Sequence, residues 1–458
     1  MVDRSQLPAL IEDAPFTFPP IRKKRLANGL DLWVVEHRAV PVVTSVLLLR
    51  AGSSADPADR PGLASLTGDL LDEGAGDRSA LAVHEVLAGI GAQFDTEVGP
   101  DATFLTLTSL ARFRPKAFEL LSDLVVRPRF DPSEFARVRQ LRTNRLRQLN
   151  DVPSALADRG FIRALFGSHP YGHLAIGTLT ALAAVDLGEV VRFHAQAYAP
   201  SRATLVVVGD VDADQVLDDA DAAFGDWAVT ADEADISRVL AAVETEPPDP
   251  AGRLWLVDRP GAPQSELRIG HLGVSRQTPD YHALLVLNLV LGGQFVSRLN
   301  MNLRERKGYT YGVRSWFEFR RGRGPFQVQA SVQTGATADA IREAWQEVSN
   351  VRGDVPITDS ELDMARAVLT RGYPRNFETA DQVARSVAQL ALYDLPDDYF
   401  SQFVPRIAGL TATEVMDAAH RHLDAGRLLT LVVGDGSAIG DGLTGLGLGD
   451  ARLTDPGA

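Results

Sequence analysis

The sequence runs through one plan twice. FHAQAYAPSRATLVVVGDVDADQV (193–216) and AAHRHLDAGRLLTLVVGDGSAI (418–439) each read as an amphipathic helix, a turn, and an apolar strand closed by Val-Gly-Asp. Gly434 follows Gly209 by 225 positions. Other pieces return at similar separation. LDLWVVEH (30–37) with VVTSVLLLRAG (42–52) matches RLWLVDR (253–259) with QSELRIGHLG (264–273), each pair reading as two strands. Each pair precedes a helical segment, RPGLASLTGDLLDEG in the first half and DYHALLVLNLVLGG in the second. A period this long specifies two like domains, and 458 residues are in any case too many for one typical core.

Paired strands, then helices, then more strands do not follow the strict strand–helix alternation of a parallel α/β sheet. They predict an α+β fold, in which helices cover one face of a mostly antiparallel sheet. ADEADISRVLAAVETEPPDPAG is acidic and Pro-bearing and reads as a linker. The expected organisation is therefore a first domain over 1–230, a linker over 231–251 and a second domain over 252–458. The two domains are expected to face each other across a cleft, as a clamshell.

Composition removes several function classes. A formal charge of −14 argues against nucleic-acid binding, which needs a basic face to displace phosphate counterions. There are no cysteines, so disulfides, thiolate nucleophiles and cysteine metal sites are excluded. Residues 1–20 hold no apolar core of signal-peptide length, and ALLVLNLVLGG is too short for a membrane span. The expectation is a protein without a membrane span in the cytoplasm, or in the periplasm if a leader has been removed.

Three separate stretches carry a family resemblance. HPYGHLAIGTLTALAAVDLGEVVRFHAQAYAPSRATLVVVGDVD, LGGQFVSRLNMNLRERKGYTYGV and FVPRIAGLTATEVMDAAHRHLDAGRLLTLVVGD resemble the pitrilysin and mitochondrial-processing-peptidase family, in that family's order and over nearly the whole chain. The resemblance implies a zinc endopeptidase fold of the H-x-x-E-H type. In such enzymes two histidines and a distal glutamate hold the metal, and a further glutamate activates the bound water.

The motif itself is missing. The resemblance places it after Pro61-Gly62-Leu63, where the sequence reads GLASLTGDLLDEG. Ser65 and Asp69 stand at the histidine positions, Gly68 at the glutamate position, and the distal glutamate falls near Arg145. Serine is a poor zinc ligand, glycine cannot act as a base, and arginine repels a dication. An ion pair between Asp69 and Arg145 is expected to fill the vacated pocket. No other stretch supplies a metal site. His169 and His173 belong to a structural turn in the family pattern. His420 and His422 are two apart on a helix, do not face one another and read as solvated. His84-Glu85 lacks a second histidine, and the five arginines between Arg137 and Arg147 read mainly as a solvated helix face. No cofactor is therefore expected on this chain.

In the second half, LRERKGYTYGV places Arg304 seven residues before Tyr311. Read from the residues alone, this is a surface arginine beside a core tyrosine, with Tyr309 and Trp316 as packing. The resemblance implies more, because the family's second half supplies an arginine and a tyrosine to a metal site elsewhere. The chemistry suits that role. Attack on a peptide carbonyl builds negative charge on oxygen, which preorganised donors stabilise. A phenol keeps its proton at neutral pH, and a guanidinium grips carbonyls with a fork of donors.

The implied protein is the zinc-free subunit of a heterodimeric zinc metalloendopeptidase. It is inactive alone, binds extended peptide through Arg304 and Tyr311, and is completed by an H-x-x-E-H-bearing sister that holds the zinc. The alternatives are a structural subunit and a free-standing peptide-binding protein of the same fold. Two further expectations are local. EFRRGRGP (318–325) reads as an exposed hairpin tip in preference to a loop that leans toward an acidic substrate, and the Gly-rich tail GDGLTGLGLGDARLTDPGA reads as mobile.

Overall fold

The computed structural model describes residues 16–229, 231, 234–353 and 355–455. The first sheet contains β1 (Arg22–Arg25), β2 (Asp31–Glu36), β3 (Val42–Leu49), β4 (Gln93–Val98), β5 (Thr103–Leu110) and β6 (Ala203–Gly209), in the order β1-β2-β6-β3-β5-β4. The second contains β7 (Leu254–Asp258), β8 (Gln264–Leu272), β9 (Thr310–Phe317), β10 (Pro325–Gln333), β11 (Leu429–Gly434) and β12 (Arg452–Leu453), in the order β9-β10-β8-β11-β7-β12. The repeat is thus one of topology: the series β2-β6-β3-β5-β4 and β7-β11-β8-β10-β9 are the same series. Both sheets are mainly antiparallel, with β2 and β6 parallel in one and β7 parallel to β11 and β12 in the other.

The Val-Gly-Asp endings have a steric cause. At the end of β6 the chain passes so close to β3 that a Cβ on Gly209 would lie 2.1 Å from the Val42 carbonyl oxygen. At the end of β11 a Cβ on Gly434 would lie 2.6 Å from Ser265 Oγ. Only glycine tolerates the first approach, whereas at Gly434 a side chain would require the buried Ser265 hydroxyl to shift.

Four helices place the candidate sites and join the halves: α1 (Leu63–Gly68), α2 (Pro132–Asn150), α3 (Pro153–Phe166) and α4 (Ala380–Leu392). The helices α3 and α4 are counterparts in the repeat, and each packs on the sheet of the other half. First-half α3 lies on β8 and β11, while second-half α4 lies on β3 and β6. This explains why β6 and β11 are buried along their whole length and read as continuous apolar runs rather than alternating ones. Leu156, Phe161 and Leu165 of α3 form a common core with Leu429, Leu431 and Val433 of β11. Val383, Ala384, Val387 and Ala388 of α4 share a core with Val46, Val206 and Val208. The two sheets face each other across these exchanged helices. Arg268, a fully buried residue of β8, donates through Nε to Asp158 Oδ1 of α3 at 2.7 Å and through Nη1 to Glu266 at 3.1 Å.

The stretch 318–325 departs from its expected place. It is a docking element of the seam between the halves, and Arg320 is only 4% exposed. Its guanidinium stacks over Phe166 and Tyr171, with 4.6 Å to the Tyr171 centroid. Tyr171 donates its hydroxyl proton to Asp101, and Asp101 also accepts the Arg321 N–H at 2.9 Å. Burial pushes the Asp101 carboxyl above the usual carboxylate range. The tail also differs from expectation. Residues Gly436–Thr444 form a helix and β12 pairs with β7, so the chain is built in as far as 455, and 456–458 lie outside the described residues. Within 231–251, Ala234–Ala242 is a helix, and Glu244 and Glu246 pair with Arg321 and Arg323.

Two histidines outside the candidate sites set an acid limit on the fold. His194 packs against Phe130 and Tyr198 and its Nε2 lies 2.8 Å from the Val125 carbonyl oxygen. His282 lies against Tyr399 and Phe403. Burial pushes both down to about 4 from 6.5, with Arg406 and Arg276 adding to the effect at His282. In the unfolded chain each titrates near its ordinary value, so below that value the unfolded state binds more protons. Their contribution is fully present above about pH 6.5 and is lost as pH falls toward 4, by about 2 kcal/mol each at pH 5. Urea melts at pH 7 and pH 5 check this. His282→Phe should shrink the pH 7-to-5 loss by about 2 kcal/mol; an unchanged loss would contradict the assignment.

Candidate functional site

The first candidate region is the pocket beside α1. Asp56 organises the entry to this helix, accepting the N–H groups of Gly62 and Ala64 at 2.6 Å each. His173 Nε2 sits 3.0 Å from both Asp56 Oδ2 and the Ser53 carbonyl oxygen, so the HPYGH stretch braces this turn. Ser65 and Asp69 lie one turn apart on the same face, as their spacing requires.

What fills the pocket is a cation from α2. Arg142 donates through Nη1 to Ser65 Oγ at 3.1 Å and to Asp69 Oδ2. Through Nη2 it donates to the carbonyl oxygens of Ala175 and Ile176 at 3.2 and 3.3 Å. The expected partner, Arg145, is exposed instead. The reason is helical phase. Phe135, Val138, Arg142 and Leu146 are the buried residues of α2, and position 145 falls on its outer side. That apolar spacing was present in the sequence and identifies Arg142. His422, expected to be solvated, is part-buried and lies 2.6 Å from Asp280.

These side chains do not fit zinc. A guanidinium stands among the ligand positions, and only Asp69 offers an anionic donor. Space is also lacking for a base at position 68. A Cβ on Gly68 would lie 2.9 Å from Thr96 Cγ2 of β4. Among the described residues no group of three or more His, Cys, Asp or Glu is placed to hold a metal ion.

The second region lies at the edge of the second sheet. A helix over Tyr281–Asn288 runs into wide π-type turns at Leu289–Gly293 and Asn300–Arg306. Gly308, with φ +67°, then reverses the chain into β9. Register along β9 slips between Thr310 and Val313, and the bulge turns Tyr311 outward until it is 93% exposed. Asn300 holds this bulge. Its amide Nδ2 donates to the Val313 carbonyl at 2.9 Å and its Oδ1 accepts the Val313 N–H at 3.0 Å. Thr310 Oγ1 adds bonds to Gly312 N and Ser331 O. Neither Asn300 nor Thr310 was marked by the sequence, because a polar residue that caps a distant strand has no local pattern.

Arg304 and Tyr311 line the same open cavity of about 600 Å³, with Phe295, Asn300, Arg314 and Trp316 among its walls. The Arg304 guanidinium stacks 4.1 Å from the Phe295 centroid, and its nearest acid, Glu305, is 3.5 Å away. Tyr309 packs against the core, whereas Trp316 opens into the cavity. The arrangement presents the guanidiniums of Arg304 and Arg314 and the Tyr311 hydroxyl to one cavity.

Two like α+β halves, with a zincin-position helix that carries serine, glycine and aspartate, define a metallopeptidase-type chain without its catalytic motif. Known proteins point the same way. The insulinase description, peptidase family M16, matches residues 33–178, and the M16 inactive-domain description matches 184–369. The chain belongs to the M16, or pitrilysin, peptidase family. The crystal structure of a peptidase M16 inactive domain from Pseudomonas fluorescens is similar at a TM-score of 0.80 and 27% identity, covering 90% of this chain and 98% of that one. A protease from Helicobacter pylori shares the fold at a TM-score of 0.81 and 19% identity, covering 91% and 100%. An uncharacterized zinc protease of Mycobacterium bovis is 26% identical over 414 residues, covering 90% of this chain and 93% of the relative. No helix among the described residues is long and apolar enough to cross a membrane.

Proposed function

We propose that this chain is the zinc-free subunit of a two-chain zinc metalloendopeptidase of the cytoplasm. The observation that carries the reading is the contrast between the two regions. The metal-side pocket is filled by Arg142, while Arg304 and Tyr311 stand open on one cavity, Arg304 with only Glu305 at 3.5 Å as an acid partner among the described residues.

The roles follow from the donors. An H-x-x-E-H-bearing sister supplies zinc, water and general base. Arg304 holds backbone carbonyls of an extended peptide, and the Tyr311 O–H donates to the carbonyl oxygen as it gains charge. A purely structural subunit of the same fold has no use for the pair.

Purification from the native source tests the partnership. The expected result is a co-purifying homologue with H-x-x-E-H, with zinc in the homologue after the chains are separated and none bound stoichiometrically here. Isolation of this chain without such a homologue would favour the structural or free-standing peptide-binding reading.

A further inference from the structure

The Arg304–Tyr311 cavity has a charge the chain as a whole lacks. Two guanidiniums, Arg304 and Arg314, line it and no carboxylate does, in a chain of formal charge −14. Glu305, 3.5 Å from Arg304, lines an adjoining cavity of about 360 Å³ to which Arg304 and Tyr311 also contribute. Arg314 is exposed, and no hydrogen bond or ion pair engages its guanidinium among the described residues. Elsewhere arginines that reach into the seam are matched: Arg50 by Asp394, Arg323 by Glu246 and Arg268 by Asp158.

The backbone around the cavity limits how a ligand is read. At Val313 both outward groups of β9, N–H and C=O, are taken by Asn300. A peptide at this point cannot extend the sheet by strand addition and meets the open face of β9 instead. That face carries Arg314 and Trp316, two apart on the strand, with Phe295 across the cavity. A cation beside aromatic surface matches a carboxylate beside an apolar residue.

We propose that this cavity selects peptides bearing a carboxylate, with Arg314 as the specificity-determining residue and Trp316 and Phe295 receiving the neighbouring apolar side chain. The proposal rests on the peptide-binding reading above and names the substrate class of that site: acidic rather than neutral or basic segments.

Binding of labelled peptides to the full chain alone tests it, read by anisotropy. Glu-bearing peptides are compared with Gln and Lys counterparts of equal length, each with a free or an amidated C-terminus. The Glu peptide should bind about tenfold more tightly than its Gln counterpart, the gain of a charge-assisted contact over a neutral one. The preference should shrink with added salt. Arg314→Gln should abolish it and Arg314→Glu should favour the Lys peptide. A Glu-over-Gln preference kept by amidated peptides assigns it to side-chain carboxylates; weaker binding of every amidated peptide than of its free-ended counterpart assigns it to the terminal carboxylate. Equal binding of Glu and Gln peptides together with equal binding of free and amidated ones, or an unchanged preference in Arg314→Glu, would overturn the proposal. Because Arg314 is exposed, folding does not confound the variant, and the salt dependence of the unaltered chain is an independent check. An inactive two-chain mixture would sink the subunit reading and leave this binding result standing. An active mixture that binds all peptides alike would sink this inference alone.

Discussion

In an active mixture of this chain with the proposed H-x-x-E-H-bearing sister, Tyr311→Phe should lower peptide turnover by about 10²–10³, the effect of removing one preorganised oxyanion donor. The substitution keeps the ring and deletes only the O–H. Tyr311 is 93% exposed and its hydroxyl has no acceptor in this chain among the described residues, so stability should not change. The loss should appear in kcat and kcat/KM alike, because the donor acts on charge that exists only in the transition state. Arg304→Ala should also raise KM, since the guanidinium is proposed to hold ground-state carbonyls. Tyr309→Phe is the control. Its ring packs against the core and its loss of a hydroxyl should be nearly silent. Steady-state kinetics with one peptide substrate check all three. A silent Tyr311→Phe in an active mixture would reduce the pair to scaffold.

Asp69→Ala should destabilise the first half by about 3 kcal/mol, near the lower end for losing one partner of a buried ion pair. The low end applies because the Asp69 side chain is 39% exposed while that of Arg142 is only 8% exposed. Truncation strands the Arg142 guanidinium with Ser65 Oγ and two carbonyl oxygens but no anion. Arg145→Ala should be nearly neutral, since that side chain points outward. Denaturant melts of the two variants distinguish the pair that forms from the one the family resemblance suggests. Equal effects of Asp69→Ala and Arg145→Ala would mean that no specific plug exists.

How far the fold and the candidate site can be read from the residues differs from place to place. The two-sheet plan was legible because Gly209 and Gly434 sit where a strand end meets a neighbouring chain too closely for a side chain. The exchange of α3 and α4 was not legible. An amphipathic pattern announces that a face is buried but not which sheet covers it. The spacing of Arg304 and Tyr311 was legible, but the bulge that turns the phenol outward depends on Asn300, thirteen residues from its Val313 partner. The stretch 318–325 misled because charged, Gly-rich sequence ordinarily lies in solvent. Here Arg320 covers aromatic rings with its planar guanidinium, which is less strongly hydrated than an ammonium.

The central claim is that catalysis requires this chain and a zinc-bearing sister together. The direct measurement is peptidase activity of each purified chain and of their mixture, with zinc supplied equally. The account predicts activity in the mixture, abolished by chelator, and none from either chain alone. Chelator-sensitive peptidase activity of this chain by itself, with about one zinc held per chain, would contradict it.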